Sequence, residues 1–235
     1  MSGNRAAQRR KQNARALGGR RGPSTWVIVA VVVLVVFAGA VGFGVYRAQH
    51  PGTGNLAIPR GATATGVPVG QPTAPATIDI YLDFQCPVCK AYEEQSGPTI
   101  DQFVAAGTAR VIYHPVAFLD RFSTTQYSTR SSAASGCAQD AGVFPQYLKL
   151  LYANQPPENS PGLTNAQLIA LGQQAGAGGD FAQCVNDQRY APWTQNVTDD
   201  ASRAGVNATP TVKVNGHEIE RTDAALRQAV QAAAK

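Results

Sequence analysis

The stretch from Thr77 to Lys90 reads Thr-Ile-Asp-Ile-Tyr-Leu-Asp-Phe-Gln-Cys-Pro-Val-Cys-Lys and changes character in its middle. Its first part alternates apolar and polar residues, as a half-buried β-strand does. The apolar positions are Ile78, Ile80, Leu82 and Phe84. Pro87 then suits the first turn of a helix, where its missing N–H needs no partner. The sequence therefore predicts a strand that leads directly into a helix, with Cys86 at the helix N-terminus.

Cys86 and Cys89 form a Cys-x-x-Cys pair at this helix start. Unpaired backbone N–H groups and the positive end of the helix dipole favour an anion there. We therefore expect the pKa of the Cys86 thiol to be lowered and its thiolate to be reactive. The spacing places both sulfurs on one helical turn, where they can close a small, reducible disulfide.

Two other interpretations of this pair are a zinc site and a purely structural disulfide. A zinc site usually combines one such pair with a second pair or with closely spaced histidines. Here Cys137 and Cys184 stand apart, and the histidines are scattered at His50, His114 and His217. We expect a redox-active pair, no metal, and no cofactor beyond the disulfide itself.

The basic character of the chain belongs to its N-terminal arm. Eight of the 20 basic residues lie at or before Arg47, and no acidic residue precedes Asp79. The rest of the chain has 12 basic and 15 acidic residues. The net charge of +5 therefore gives no reason to expect nucleic-acid binding by the folded domain.

A run of 21 uncharged residues from Trp26 to Tyr46 is long enough to span a bilayer. Aromatic residues occupy both ends, and the basic arm of residues 1–25 should stay in the cytoplasm by the positive-inside rule. We interpret the run as a single-pass anchor in the cell membrane after a disordered arm, with the C-terminal domain outside the cytoplasm. The alternative is a cleaved signal peptide that ends near Ala40. Either topology places the cysteines where disulfides persist.

Residues 47–60 are rich in Gly, Pro and Thr, which indicates a linker, and residues 61–235 form the folded domain. Gly61–Val69 predicts a short edge strand. The dipeptide at 97–98, Gly-Pro, predicts a break after the first helix, followed by a second helical piece. Ala109–Val116 predicts a strand, so strand, helix and strand imply a parallel crossover.

Between about residues 123 and 205 the pattern is helical, with short segments separated by Gly, Pro and Asn. Thr211–Val214 and His217–Ile219, joined by Asn-Gly, then predict a β-hairpin. An Ala-rich helix from Asp223 to Ala234 follows. The order is β–α–β, a block of helices, β–β and α, which predicts an α/β domain.

Two separated motifs carry a family resemblance. They are Asp83-Phe84-Gln85-Cys86-Pro87-Val88-Cys89 and Ala208-Thr209-Pro210-Thr211-Val212-Lys213-Val214-Asn215-Gly216. Over roughly residues 66 to 235 the chain resembles the DsbA-like branch of the thioredoxin superfamily, the thiol–disulfide oxidoreductases of bacterial cell envelopes. The order of elements matches a thioredoxin fold with an inserted helical subdomain, preceded here by the single transmembrane helix.

The resemblance implies a role for each residue of the first motif. Cys86 is expected to be the nucleophile, and Cys89 the buried resolving thiol. Pro87 and Val88 are expected to set the redox poise. Strongly oxidising members of the family often have His where this chain has Val88, so the site should be less oxidising than theirs.

In the second motif, Thr209-Pro210 resembles the family's cis-proline loop. Such a loop faces the cysteine pair, and the backbone of Thr209 can pair with an extended substrate chain. From the residues alone, the proline could also begin the following strand in trans.

The chain departs from the family pattern beneath the cysteines. The family commonly buries an acidic residue in the central strand, but Ile80 stands six residues before Cys86. Asp83 falls on the polar face of the strand, so we interpret it as a solvated or turn-forming residue without a catalytic role. Lys90 and Glu93 are interpreted as surface residues of the helix.

Cys137 and Cys184 are the remaining cysteines. In an extracytoplasmic chain, two leftover cysteines most simply form a structural disulfide. The alternative is a shuttle pair, although the wide spacing argues against fast exchange.

The leading hypothesis is a membrane-tethered oxidase that donates the Cys86–Cys89 disulfide to exported proteins. Its partners would be exported cysteine-containing polypeptides and a membrane protein that reoxidises it, similar to DsbB or VKOR. The alternatives are a disulfide reductase or isomerase, and a non-catalytic peptide-binding or redox-sensing domain. Isomerases of this superfamily are often dimeric through an extra dimerisation domain, and no such domain fits between Arg47 and Ile78. We expect a monomer.

Overall fold

The computed structural model describes residues 56–234 and six helical residues nearer the N-terminus, Val29, Leu34, Val35, Phe37, Gly39 and Gly42. The predicted arm (1–25), the rest of the predicted membrane span (26–46) and most of the predicted linker (47–60) lie outside the described residues. Among the residues described, no helix combines the length and apolar character needed to cross a bilayer.

The chain divides into two compact units, Met1–Gly54 and Asn55–Lys235, and all four cysteines lie in the second. This unit contains a sheet with the strand order β1-β3-β2-β4-β5. The strands are β1 (Val67–Val69), β2 (Ala76–Leu82), β3 (Ala109–Pro115), β4 (Thr211–Val214) and β5 (His217–Glu218). Strands β2 and β3 are parallel, and the other neighbouring strands are antiparallel. The predicted parallel crossover and hairpin are therefore confirmed.

The helices of this unit are α1 (Pro87–Ala105), α2 (Tyr127–Asp140), α3 (Phe144–Ala153), α4 (Asn165–Gln174), α5 (Phe181–Asn186), α6 (Ala191–Arg203) and α7 (Asp223–Ala233). Helix α1 connects β2 to β3, and helices α2 to α6 lie between β3 and β4 in the sequence. The predicted α/β fold with an inserted helical region is confirmed.

The predicted break at Gly97-Pro98 is wrong, because α1 continues through it. A proline inside a helix removes one backbone hydrogen bond and crowds the preceding turn, so local propensity favours a break. The buried face of α1, which includes Cys89 and Ile100, packs into the core and outweighs this cost. Gly97 also fits closely, since a Cβ there would lie 2.8 Å from a carboxylate oxygen of Glu93.

The central strand β2 is buried to different degrees along its length. The predicted apolar positions, Ile78 to Phe84 on one face, are at most 2% exposed. On the other face, Thr77 and Asp79 are partly exposed, whereas Tyr81 and Asp83 are buried. The carboxyl end of β2 is therefore covered on both faces, and this is where the Cys-x-x-Cys pair begins.

Candidate active site

Cys86 is the N-cap residue of α1, and Pro87 occupies the first helical position. The N–H of Cys86 donates to the carbonyl of Asp83 at 3.0 Å, which closes the turn between strand and helix. Cys86 and Cys89 are free thiols that are 6% and 2% exposed. Pro87 and Val88 between them are exposed, so the outer edge of the pair is open to a partner molecule.

The Thr209-Pro210 loop lies against this pair. The Thr209-Pro210 peptide bond is cis, so the alternative interpretation of a trans proline is wrong. The Cys86 thiol donates to the carbonyl oxygen of Thr209 at 3.4 Å, across 123 residues of sequence. The contact places the backbone of Thr209 beside the Cys86 sulfur.

The surroundings of Cys86 lower its thiol pKa from 9.0 to about 6. The largest cause is the hydrogen bond that the Cys89 thiol donates to the Cys86 sulfur, and burial opposes it. The Thr209 side chain and the backbone N–H groups of Cys89 and Val88 lower the pKa further. These donors stabilise the thiolate and outweigh the contact with the Thr209 carbonyl, which favours the protonated form. At neutral pH Cys86 is therefore mainly a thiolate.

Cys89 has the opposite surroundings. Burial raises the pKa of its thiol well above 9.0, and the neighbouring Cys86 raises it further. Cys89 therefore keeps its proton at neutral pH and can donate it in a hydrogen bond to Cys86. The pair consists of one anionic sulfur near the surface and one protonated sulfur inside.

The interpretation of Asp83 as solvated is wrong, although the residue does form a turn. Its side chain is fully buried. The carboxylate accepts hydrogen bonds from the Gln85 N–H (2.9 Å), the Leu119 N–H (3.0 Å) and the Ser128 hydroxyl (2.7 Å). Alternation correctly placed Asp83 opposite the apolar face of β2, but the segment after β3 and helix α2 cover that face.

Asp83 also interacts electrostatically with the cysteine pair. Burial raises the pKa of its carboxyl group to about 7; the three hydrogen bonds lower it, and the charge on Cys86 raises it. The repulsion is mutual, so an ionised Asp83 disfavours the Cys86 thiolate. The turn before Cys86 thus contains a second group that titrates near neutral pH.

The end of helix α3 supplies contacts that sequence reasoning missed. The Tyr152 hydroxyl donates to the Asp83 carbonyl at 3.4 Å, and the Tyr152 ring packs 5.4 Å from the Phe84 ring, centroid to centroid. Gln155 Nε2 donates to the carbonyls of Phe84 (2.9 Å) and Cys86 (3.0 Å). These partners are 69 to 71 residues apart, and no local pattern marks them.

The two charged residues that follow the pair differ in burial. Lys90 lies near the surface and pairs with Glu94. Glu93 is not a simple surface residue: burial raises the pKa of its carboxyl group to about 7, while Lys149 lowers it and Asp101 raises it. The expectation for Glu93 fails because residues near the end of α3 pack beside this face of α1.

The second cysteine pair lies within the helical insertion. A disulfide joins Cys137 in α2 to Cys184 in α5, and both residues are buried. It therefore connects two helices of the insertion across 47 residues of sequence. Across the described part of the chain, no three His, Cys, Asp or Glu side chains are grouped so that they could hold a metal ion.

Together, the fold and the site define a thioredoxin-like protein whose Cys-x-x-Cys pair begins a helix and faces a cis-proline loop. A family model described as thioredoxin matches residues 62–232. The chain belongs to the thioredoxin superfamily and is a DsbA-like thiol–disulfide oxidoreductase, which confirms the resemblance found in the sequence.

Two solved structures of thiol–disulfide oxidoreductases are similar to this chain, and one curated protein matches it over part of its length. Oxidised DsbA of Mycobacterium tuberculosis has a TM-score of 0.64 and 34% identity, over 72% of this chain and 92% of that one. The reduced disulfide bond oxidoreductase DsbG of M. tuberculosis has a TM-score of 0.62 and 34% identity, over 73% and 84% of the two chains. The M. tuberculosis serine/threonine-protein kinase PknE is 35% identical over 155 residues, which is 62% of this chain. That match spans only 27% of the kinase, so the similarity concerns a part of it.

Proposed function

We propose that this oxidoreductase is an oxidase that donates the Cys86–Cys89 disulfide to exported proteins. The observation that carries the proposal is that the pKa values of the two thiols are shifted in opposite directions. The pKa of Cys86 is lowered to about 6, and the pKa of Cys89 is raised. A stabilised Cys86 thiolate stabilises the reduced enzyme, and this makes the disulfide form a stronger oxidant.

In the proposed reaction, a substrate thiolate attacks the Cys86 sulfur of the enzyme disulfide. The S–S bond breaks, and its electron pair passes to the sulfur of Cys89, which takes up a proton. A second substrate thiolate then attacks the substrate sulfur of the mixed disulfide and expels Cys86 as a thiolate. The substrate gains a disulfide, and the enzyme gains two electrons.

The residues around the pair have proposed roles in this exchange. The exposed Pro87 and Val88 border the approach to the Cys86 sulfur and tune its redox poise. The backbone of Thr209 lies beside that sulfur, in a position to pair with an extended substrate chain as an added strand does. Pro210 maintains the shape of this loop.

The same proposal includes the location and the partners of the enzyme. The predicted anchor (26–46) would hold the domain (61–235) outside the cytoplasm, where the structural Cys137–Cys184 disulfide also persists. The substrates would be exported polypeptides with cysteines. Continued turnover requires an electron acceptor, for which we propose a membrane protein of the DsbB or VKOR type. We expect the enzyme to act as a monomer without nucleic acid.

A three-substrate assay tests the direction of exchange. The oxidised full chain is mixed with a reduced peptide bearing two cysteines; the reduced chain is mixed with a disulfide-bonded peptide and with a protein whose disulfides are scrambled. We expect the fastest reaction to be oxidation of the reduced peptide. Faster cleavage or reshuffling would assign a reductase or an isomerase, and the absence of exchange with all three would indicate a non-catalytic binding domain.

A further inference from the structure

Gln155 connects the helical insertion to the backbone of the turn between β2 and α1, residues 83–86, which we call the Cys86 turn. Its side-chain amide Nε2 donates to the carbonyl of Phe84 at 2.9 Å and to the carbonyl of Cys86 at 3.0 Å. One planar amide thus bridges the backbone on both sides of Gln85. The Cys86 carbonyl also accepts from the N–H of Cys89 at 3.1 Å, so Gln155 contacts the first turn of α1 directly.

The chain around Gln155 limits how far this amide can move. Its backbone N–H donates to the carbonyl of Tyr152 at 3.1 Å, which ties it to the last turn of α3. Pro156 follows and restricts the Gln155 backbone to extended conformations. Tyr152, one turn earlier, is itself fixed by its buried ring and by its bond to the Asp83 carbonyl. The donor is therefore presented from a backbone that is hydrogen-bonded to the last turn of α3.

The bridge has an electrostatic consequence for the Cys86 sulfur. Backbone N–H groups of Val88 and Cys89 stabilise the Cys86 thiolate only while they point at it. Backbone carbonyls carry the opposite partial charge, and those of Phe84 and Cys86 are directed to Gln155. Removing the amide would leave these carbonyls without that donor and would free the turn to shift.

We propose that Gln155 is a positioning residue of the redox site, which orients the Cys86 turn so that backbone donors face the sulfur. The inference rests on the proposed role of Cys86 as the nucleophile. It assigns to the helical insertion a direct part in the reactivity of the pair, in addition to covering the carboxyl end of β2.

The test compares two substitutions of Gln155 with a matched control. Gln155→Met keeps the length of the side chain and removes the donor. Gln155→Glu keeps the shape and places a carboxylate against the two carbonyls. The control is Asn154→Ala, because Asn154 carries the same amide group but donates it to Leu150 in its own helix at 2.9 Å.

In each reduced full chain, the ultraviolet absorbance of the thiolate is titrated. The rate at which Cys86 attacks oxidised glutathione, releasing one glutathione thiolate, is also measured. We expect the acid dissociation constant of Cys86 to fall roughly three- to tenfold in Gln155→Met, the range expected for one lost hydrogen bond. In Gln155→Glu the acid dissociation constant of Cys86 should fall further, because the added carboxylate repels the thiolate. Asn154→Ala should titrate like the unaltered chain. Thermal unfolding, followed in parallel, shows that each variant is folded.

Two results separate this inference from the proposed function. If Cys86 titrates normally in the unaltered chain, the proposed nucleophile is wrong and this inference falls with it. If the pKa of Cys86 is lowered in the unaltered chain and stays unchanged in both Gln155 variants, the proposed function stands and the positioning role of Gln155 is overturned.

Discussion

Both cysteine pairs of this chain are buried, and yet they have different surroundings. Cys86 and Cys89 are 6% and 2% exposed, and Cys137 and Cys184 are 2% and 1% exposed. The first pair begins a helix beside a cis-proline loop, whereas the second joins two helices of the insertion. Burial alone therefore does not distinguish a reactive pair from a structural one.

The difference lies in the polar groups that reach the sulfurs. Backbone N–H groups and the Cys89 thiol donate to Cys86, and a buried carboxyl group, Asp83, titrates close by. The backbone of the same turn is fixed by Gln155. Such groups make one protonation state of a thiol more stable than the other, and a more stable thiolate makes the corresponding disulfide a stronger oxidant.

The largest expected effect separates the two thiols of the first pair. Cys86→Ser should abolish oxidation of a reduced peptide, because the attacking thiolate of the substrate loses its target sulfur. Mixed with a disulfide-bonded peptide, Cys89→Ala should accumulate mixed disulfides: the Cys86 thiolate attacks the peptide disulfide and expels one of its sulfurs as a thiolate, and no second enzyme thiol can resolve the product. Non-reducing gels report both outcomes. Trapped adducts in Cys86→Ser instead would reverse the assigned roles.

The second pair should affect stability rather than exchange. We expect the combined Cys137→Ala and Cys184→Ala variant to lose up to about 4 kcal/mol of unfolding free energy in the chain-entropy model. Its rate of peptide oxidation, measured below the unfolding transition, should stay close to that of the unaltered chain. A folded variant that has lost exchange activity would show that Cys137 and Cys184 act as a shuttle.

An intermediate effect is expected from neutralising the buried carboxyl group. Because the pKa of Asp83 is about 7, Asp83 is mainly protonated at pH 6 and gains its charge only as Cys86 completes its titration. Asp83→Asn removes that charge, so Cys86 should titrate in a narrower step centred near pH 6. The control is Glu94→Gln, which neutralises a carboxylate on the surface of α1 that is 65% exposed. The thiolate absorbance, followed as a function of pH, gives the titration of Cys86 in both variants. A higher Cys86 pKa in Asp83→Asn would mean that its lost hydrogen bonds outweigh the lost charge.

The pKa of Asp83 also gives stability a dependence on pH. The pKa is raised from 3.8 to about 7, so between these values the folded chain retains a proton that the unfolded chain releases. Stability should therefore fall as pH rises through this window, by at most about 1.4 kcal/mol per pH unit from one group. Denaturant unfolding from pH 4 to pH 8 should show this slope in the unaltered chain. The slope should be reduced in Asp83→Asn.

The smallest effect concerns the exposed position between the cysteines. Val88 is 54% exposed, so Val88→His should not disturb packing. The new side chain can donate to the Cys86 thiolate, and we expect the reduction potential to rise by about 30 mV, the equivalent of one modest hydrogen bond. Val88→Ala, which adds no donor, is the control. Equilibration with glutathione gives both potentials, and equal values would exclude a tuning role for position 88.

The order of elements could be predicted from the sequence because each has a local cause. Period-2 alternation predicted β2, Pro87 predicted the start of α1, and Asn215-Gly216 predicted the hairpin of β4 and β5. The prediction of a break at Gly97-Pro98 was wrong because the tertiary packing of α1 outweighs the local preference of a Gly-Pro pair to end a helix.

The site was predictable only in part, for a physical reason. Cys86 and Cys89 belong to a local motif, so their position at the helix start follows from neighbouring residues. The burial of Asp83 depends on α2 and on the segment after β3, which are distant in sequence. Gln155 acts through one side chain across 69 residues and follows no periodic pattern. Contacts of this kind appear only when the folded chain brings the segments together.

The most direct test measures the reduction potentials of both pairs in one protein. The full chain is equilibrated in a series of redox buffers, its free thiols are alkylated, and each cysteine is quantified by mass spectrometry. We expect Cys86–Cys89 to be half reduced nearer to about −120 mV than to about −270 mV, while Cys137–Cys184 stays oxidised to below about −300 mV. Reduction of both pairs over the same range, or a Cys86–Cys89 potential near about −270 mV, would contradict the account of an oxidising pair beside a structural one.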